Sequence, residues 1–511
     1  MSTTEPPGPP SATRSRSITV ETNGINPIAE HERKGNPRDL FWPWFAANVS
    51  VLAVSYGSFV LAFGMSLWQA LIVILVGVGA SYLFCGYVAT AGQRGSAPTM
   101  TMSRSAFGVR GNRVPSMLSW MLTVGWETTL VVVAVLATST IFERVGWGGG
   151  TPLKVVALLV VVTLIVTGGM LGFDVIMKLQ RWLTILAAAL TALYIAFTVG
   201  HIDWHAVAAL PAGSTPIVIG ATLFVMTGFG LGWVNAAADY SRYLPRHAST
   251  KGIIGWTTLG GSIPPAVLLI YGVLLAGSSS TLNDAIAGDP VGALTTILPT
   301  WFLIPFAVVT VTGLVAGAIM DIYSSGLALL NMGLKTSRVT AVGIDAVIML
   351  VGAIAVIFFS PNFIGPFQGF LITLGVPITA WCGIFIADLA LRRQPYAERD
   401  LFDPSGRYGD VRWMPIALIA LATVVGWGLV TNSMAPWLAW QGYLLGPLGL
   451  GGTEGAWAYS NLGVIVALVI GFGGYLLFGR HTVRLQESIP ALPELDLSNA
   501  EAQHIVPDQS E

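Results

Sequence analysis

The sequence predicts an all-α membrane protein of twelve transmembrane helices, with two five-helix halves in inverted topology and two further helices after them. Three observations predict this. Of the 511 residues, 54% are hydrophobic and only 10% are charged, against about 25% charged in soluble domains, and the mean hydropathy is +0.70. Apolar runs of about 18 residues or more recur along the chain, and each can cross a hydrocarbon core of roughly 30 Å as a helix. Polar and glycine-rich interruptions fall in the first and sixth of these runs, at matching positions of the two halves.

The first 38 residues are polar and rich in Pro, Ser and Arg, and are expected to form a disordered cytoplasmic N-terminal tail. A core of two repeats is expected over 39–392, the repeats covering about 40–199 and 215–390. Two C-terminal helices with their loops follow over 393–480, and a cytoplasmic C-terminal tail over 481–511. The spans are read near 40–64, 67–92, 114–141, 152–172, 180–199, 215–238, 253–276, 300–330, 341–360, 363–390, 413–433 and 461–479. Charge supports the count. The segments assigned to the cytoplasm hold 23 of the 25 Lys and Arg, Arg144 and Lys154 being the others, and the outside segments 200–214, 277–299 and 434–460 hold none. This positive-inside asymmetry places both termini in the cytoplasm of a multi-pass cell-membrane protein.

Several function classes are excluded. The net charge of −1 leaves no basic surplus for nucleic acid. Cys85 and Cys382 both lie in apolar runs, so neither a disulfide framework nor a Cys-rich metal site is expected. The six histidines all fall in tails or loops, which removes the metal or acid–base clusters that a membrane enzyme needs at depth. No cofactor is implied. The outside loops are too short for a receptor's ligand-binding domain.

The interruptions carry the functional reading. Span 1 holds Asn48, Ser50 and Ser55 in its middle; span 6 holds Gly228, Gly230 and Gly232 around Trp233. Glycine costs about 1 kcal/mol in a helix interior relative to alanine. Opened backbone at membrane depth is tolerated only where protein or a water-filled cavity satisfies it. Paired interruptions in two halves point to a transporter with a midplane site at discontinuous helices. Here the glycines are expected to open span 6 toward a ligand. Charged groups at depth cost about 3 kcal/mol or more and are candidates by default; Glu127 and Asp321 are the deep ones. Trp126 and Trp233 lie well inside their spans, unlike the interfacial tryptophans. Two indole faces flanking a cavity suit a small planar heterocycle with a polar edge.

GLGWVNAAADYSRYLP, GWETTL and MDIYSSGLALL resemble, in order and in span, the sixth, third and eighth segments of the nucleobase:cation symporter-1 family, in its purine–cytosine permease branch. GINPIAEHER, ahead of the Trp-rich start of span 1, is similar too, and the resemblance covers about residues 24 to 480. It implies a LeuT-like fold, and symport of a nucleobase such as cytosine or a purine with a proton or sodium ion. By the same resemblance Trp233 is the stacking tryptophan of the broken sixth helix, and Trp126 the aromatic of the third. Asn48, Ser50 and Ser55 match the first-helix part of the site. Asp321 stands where many relatives have an asparagine that bonds the base, and Leu130, with Thr129 beside it, where relatives often have Asn or Gln. An ionised aspartate offers only acceptors, so a ligand other than cytosine stays open: allantoin, hydantoin, thiamine or pyridoxine.

Sodium sites in this fold use first-helix carbonyls and a Ser/Thr pair one to two turns before the eighth-helix substrate residue. Gly313 to Met320 contains no hydroxyl, whereas Asp321 and Glu127 can carry a proton. Proton coupling is therefore expected over sodium. Asp239 and Arg242, at the end of span 6, are expected to pair with inner parts of spans 1 or 8 as a cytoplasmic gate.

Overall fold

The computed structural model describes residues 21, 23–360, 364–432 and 436–490, and among them every regular element is helical. The first span is Phe41–Asn48 (α1) and Val51–Leu61 (α2), and the second is Leu67–Gly95 (α3). A short helix, Thr99–Phe107 (α4), precedes Arg113–Val145 (α5), Gly150–Leu171 (α6) and Phe173–Thr198 (α7). After the connecting turn Trp204–Ala208 (α8), the sixth span comes in pieces: Thr215–Gly228 (α9), Gly230–Trp233 (α10) and Ala237–Ser241 (α11). Then follow Thr250–Ser278 (α12), the loop helix Ser280–Gly288 (α13), Leu303–Asn331 (α14), Arg338–Phe359 (α15) and Ile364–Leu391 (α16). Trp413–Trp427 (α17), Leu462–Phe478 (α18) and Arg480–Ser488 (α19) complete the order.

Among the described residues nine helices are long and apolar enough to cross a membrane, or up to eleven if each bent pair is one span; Trp413–Trp427 is a shorter apolar helix. This is consistent with twelve spans. The start of the expected tenth span and the end of the eleventh fall at 361–363 and 433–435, outside the described residues. Helix α12 lies on α3, and α14 on α5. The second and third spans therefore meet their counterparts in the other half, as an inverted repeat requires.

Most of each expected tail, residues 1–20, 22 and 491–511, lies outside the described residues. The described part of the N-terminal segment is packed rather than free. Ile28 and Leu40 are buried, and the chain bonds to the core through Ile28 N–H to Ser96 O (2.8 Å) and Lys34 N–H to Tyr243 O (2.7 Å). Polar composition concealed this because the segment spends its polar groups on hydrogen bonds and anchors itself with a few isolated apolar side chains. At the other end, Val483 and Gln486 of α19 are likewise buried.

Span 6 breaks, but its glycines do not supply the break. The irregular residue is Phe229, at φ −124° and ψ −108°, and Gly228, Gly230 and Gly232 all keep negative φ. Their role is close approach. A Cβ on Gly230 would lie 2.3 Å from Ser81 C and 2.4 Å from Tyr82 N, so α10 rests directly on the α3 backbone. Gly230→Val is therefore expected to cost about 1–3 kcal/mol through overpacking. Gly79→Ala, in the interior of α3 where a Cβ meets nothing within 4 Å, is expected to keep or slightly raise the thermal midpoint of the purified protein.

Candidate functional site

The break in span 1 is built by its own polar residues. Val49 and Ser50 leave helical geometry, and α2 departs at 66° to the helical segment before it. Ser50 Oγ accepts from Leu52 N–H (3.3 Å) and so caps α2. Asn48 donates through Nδ2 to Trp44 O (2.7 Å) and accepts from the Tyr82 hydroxyl (2.5 Å). Both residues are thus committed to holding the break. Opposite it, α14 presents glycine: a Cβ on Gly313 would lie 2.8 Å from Val49 O, and one on Gly317 would lie 3.5 Å from Ala47 O. Leu130 Cδ1 fills the other side of Gly317, at 3.1 Å. That contact explains an apolar residue where an amide was expected.

An aromatic cluster stands beside the break. Trp44, fully buried, meets Tyr82, Trp233 and Tyr240 edge to face, with ring centroids 6.4, 5.6 and 5.5 Å away. Trp126 reaches the same place from α5: its Nε1 lies 3.2 Å from where a Cβ on Gly232 would stand, and Phe367 holds its ring from behind at 5.2 Å. The half-buried Trp126 indole therefore lies against Gly232, the residue just before the half-buried Trp233. A cavity of about 370 Å³ lies beyond Trp126, between apolar groups of α5, α15 and α16; neither Trp233 nor Asp321 lines it.

On spans 1, 3, 6 and 8 several buried polar atoms have no partner. They include Asp321 Oδ2, both carboxylate oxygens of Glu127, Trp44 Nε1, Tyr56 Oη and Asn235 Oδ1. The remaining polar group of Asn235, Nδ2, donates to Ser119 Oγ (2.8 Å). Buried polar groups are bonded in the large majority of cases, and an unbonded one costs about 1–3 kcal/mol. Unbonded carboxylate and indole groups of this kind can be completed by a ligand or a proton.

A third buried carboxylate was missed by sequence reasoning. Asp345 of α15 is fully buried, accepting from Trp120 Nε1 (2.7 Å) through Oδ1 and from Ser325 Oγ (3.0 Å) through Oδ2. The signal was present, a single aspartate inside the apolar run VTAVGIDAVIMLV. It lies eight residues into the helix Arg338–Phe359, near the span end where a charged group ordinarily reaches the interface.

Two expected residues go elsewhere, and a third, Arg242, reaches span 8 as expected. Ser55 donates to Pro290 O in the loop after α13, away from the rings. Asp239 is buried, and one of its oxygens accepts from both the backbone N–H and the hydroxyl of Thr99 (2.8 Å each). It therefore caps α4, where a carboxylate is favoured by the helix dipole. The carboxylate that Arg242 meets is Glu21, at 3.2 Å, not Asp239. Arg242 also donates to Gly24 O (2.6 Å) and the Tyr323 hydroxyl (2.8 Å). Sequence spacing could not find this because α4 and the N-terminal segment are far away in the chain. Asp239→Ala is expected to destabilise the protein by about 1–2 kcal/mol and Asp239→Asn by less than half as much, read as thermal midpoints.

Known proteins share this architecture. The sequence profile of permeases for cytosine/purines, uracil, thiamine and allantoin matches residues 27–446. The Bacillus subtilis (strain 168) protein YxlA, which carries the provisional name of purine-cytosine permease, is 24% identical over 455 residues, 86% of this chain and 93% of its own. The purine-cytosine permease FCY21 of Saccharomyces cerevisiae is 27% identical over 287 residues, 53% of this chain and 50% of its own. A nucleobase-cation-symport-1 family transporter, solved in a closed conformation with bromovinylhydantoin bound, superposes with a TM-score of 0.68 at 18% identity. That match covers 94% of this chain and 98% of the other. It shows the LeuT-like fold.

Proposed function

Since the chain belongs to the nucleobase:cation symporter-1 family and is a multi-pass membrane transporter rather than an enzyme, we propose that it imports a nucleobase, cytosine or a purine, by proton-coupled alternating access. One observation carries this reading: spans 1, 3, 6 and 8, which hold Trp126, Trp233 and Asp321, keep several buried polar atoms without a partner. A planar base offers two faces for the indoles, and an edge of donors and acceptors for Asp321 and Glu127. Asn48 and Ser50 contribute by keeping span 1 open rather than by reading the base.

Coupling follows from charge. A carboxylate buried without a partner is too costly to keep ionised, so Asp321 and Glu127 bind a proton as readily as a base. The glycines of α14 facing the Ala47 and Val49 carbonyls add no hydroxyl for sodium. The buried, unpartnered Thr310 hydroxyl, one turn before Gly313, is the observation that favours the sodium alternative; alone it is half of a pair. The family description also includes uracil, thiamine and allantoin, and these are the competing substrates.

The excess of Lys and Arg assigns the face bearing both termini to the cytoplasm. On that face Arg242, tied to Glu21 and to Tyr323 of α14, closes the inner mouth. Arg242→Ala is expected to shift the protein toward inward-open forms, seen as faster labelling of a cysteine placed in the inner part of α14. Unchanged labelling and transport would remove the gate.

The deciding measurement is uptake of labelled cytosine, hypoxanthine, uracil and allantoin into proteoliposomes under imposed proton or sodium gradients. Trp233→Ala and Trp126→Ala are each expected to lower uptake at least tenfold. Asp321→Asn is expected to retain base binding while losing the response to the pH gradient. Uptake that follows sodium at fixed pH would overturn the proton assignment.

A further inference from the structure

Glu127 is unusual in having both oxygens buried and unbonded. The side chains close enough to act on its charge are Asp345 from α15 and Ser325 and Asp321 from α14. The Ser325 hydroxyl lies beside the Glu127 carboxyl without completing a hydrogen bond to it, because that hydroxyl is given to Asp345 Oδ2 at 3.0 Å. Asp345 itself receives two neutral donors, Trp120 and Ser325. Among the described residues no Lys, Arg or His forms an ion pair with it. It is a buried acid with no structural cation to explain it.

The three groups also lie at different depths. At roughly 1.5 Å per residue, Glu127 is about 21 Å along α5 from its start at Arg113, whereas Asp345 is only about 10 Å along α15 from its start at Arg338. Both helices begin on the face that bears the termini. Ser325, six residues before the end of α14, is at a depth similar to that of Asp345. The polar line thus descends from the candidate site toward one side only.

We propose that Glu127, Ser325 and Asp345 form a proton relay that carries the coupling proton from the substrate site toward the cytoplasm, with Asp345 as its inner acceptor. The inference rests on the proton-coupled reading and adds a residue outside the substrate contacts. A proton leaving the Glu127 carboxyl makes a new O–H bond at Ser325 Oγ as the hydrogen already there passes to Asp345 Oδ2. One O–H bond breaks and one forms at each step, and the net result is a single proton moved from α5 to α15. Asp345 is the positioned terminus and does not touch the base.

The test separates proton movement from substrate movement. Asp345→Asn keeps an acceptor for Trp120 and cannot take up a proton. With cytosine and hypoxanthine as probes in proteoliposomes, accumulation driven by a pH gradient is expected to fall at least tenfold. Exchange of labelled for unlabelled base without a gradient is expected to stay within twofold of wild type, and Asp345→Glu to recover accumulation. Wild-type accumulation by Asp345→Asn overturns the relay. So does loss of exchange in a variant with an unchanged thermal midpoint, because that places Asp345 in the substrate step. If Asp345→Asn does not fold, Ser325→Ala, which removes one oxygen, carries the same expected split. A wild type indifferent to the pH gradient removes the coupling reading and the relay together, whereas a proton-driven wild type beside a normal Asp345→Asn removes the relay alone. A readout free of any substrate is the infrared C=O band of a protonated carboxyl that Glu127→Gln abolishes. Ser325→Ala is expected to shift that band, and a band indifferent to Ser325 overturns the relay.

Discussion

Backbone that leaves helical geometry within a membrane has no water to bond it, so the protein must supply every partner. At Val49–Ser50 those partners are local and exact in type: a serine that caps the helix after the break, and an asparagine that ties the helix before it to Tyr82 of α3. The opposing helix answers with glycine at 313 and 317, so that backbone meets backbone. The geometry around the candidate site depends on this arrangement. It sets where Trp44 stands, Trp44 sets the edge-on contacts of Trp233 and Tyr240, and Asp321 follows on the same helix as the glycines.

The site is distinguished by what it leaves unsatisfied. In the break both Asn48 and Ser50 have a use; Glu127, Asp321, Trp44 and Asn235 each keep a buried atom idle. A protein tolerates such a cost where a ligand or a proton recovers it. The contrast between Asp321 and Asp388 makes the point. Asp388 is equally buried, but Arg392, Ser105 and Tyr475 saturate it, and it reads as a clamp between α16, α4 and α18.

The face bearing the termini is held by side chains that the sequence places far apart. Arg242 at the end of span 6 meets Glu21, more than two hundred residues earlier, and Asp239 meets Thr99 on a helix that no hydropathy pattern announces. All nine residues of α4 are buried, yet its run TMTMSRSAF is nearly neutral in hydropathy because it is buried against protein, not lipid. Both residues were expected to pair with inner parts of spans 1 or 8, and only Arg242 does so, at Tyr323. A helix terminus and a carboxylate on the N-terminal segment proved better partners.

The apolar spans and the interruptions in spans 1 and 6 were legible because hydrocarbon imposes length and apolarity on each segment independently of its neighbours. The unusual depth of Trp126, Trp233, Glu127 and Asp321 was legible for a related reason, since large aromatic and charged side chains at depth are costly wherever they point. Tertiary structure alone decided which of these side chains share a space. It turned the glycines of span 6 from hinges into contact points and Ser55 toward a loop, and it brought Asp345 beside Glu127 through Ser325. Those outcomes depend on the rotation of each helix about its axis and on which helix lies opposite, and neither quantity is encoded in any single span.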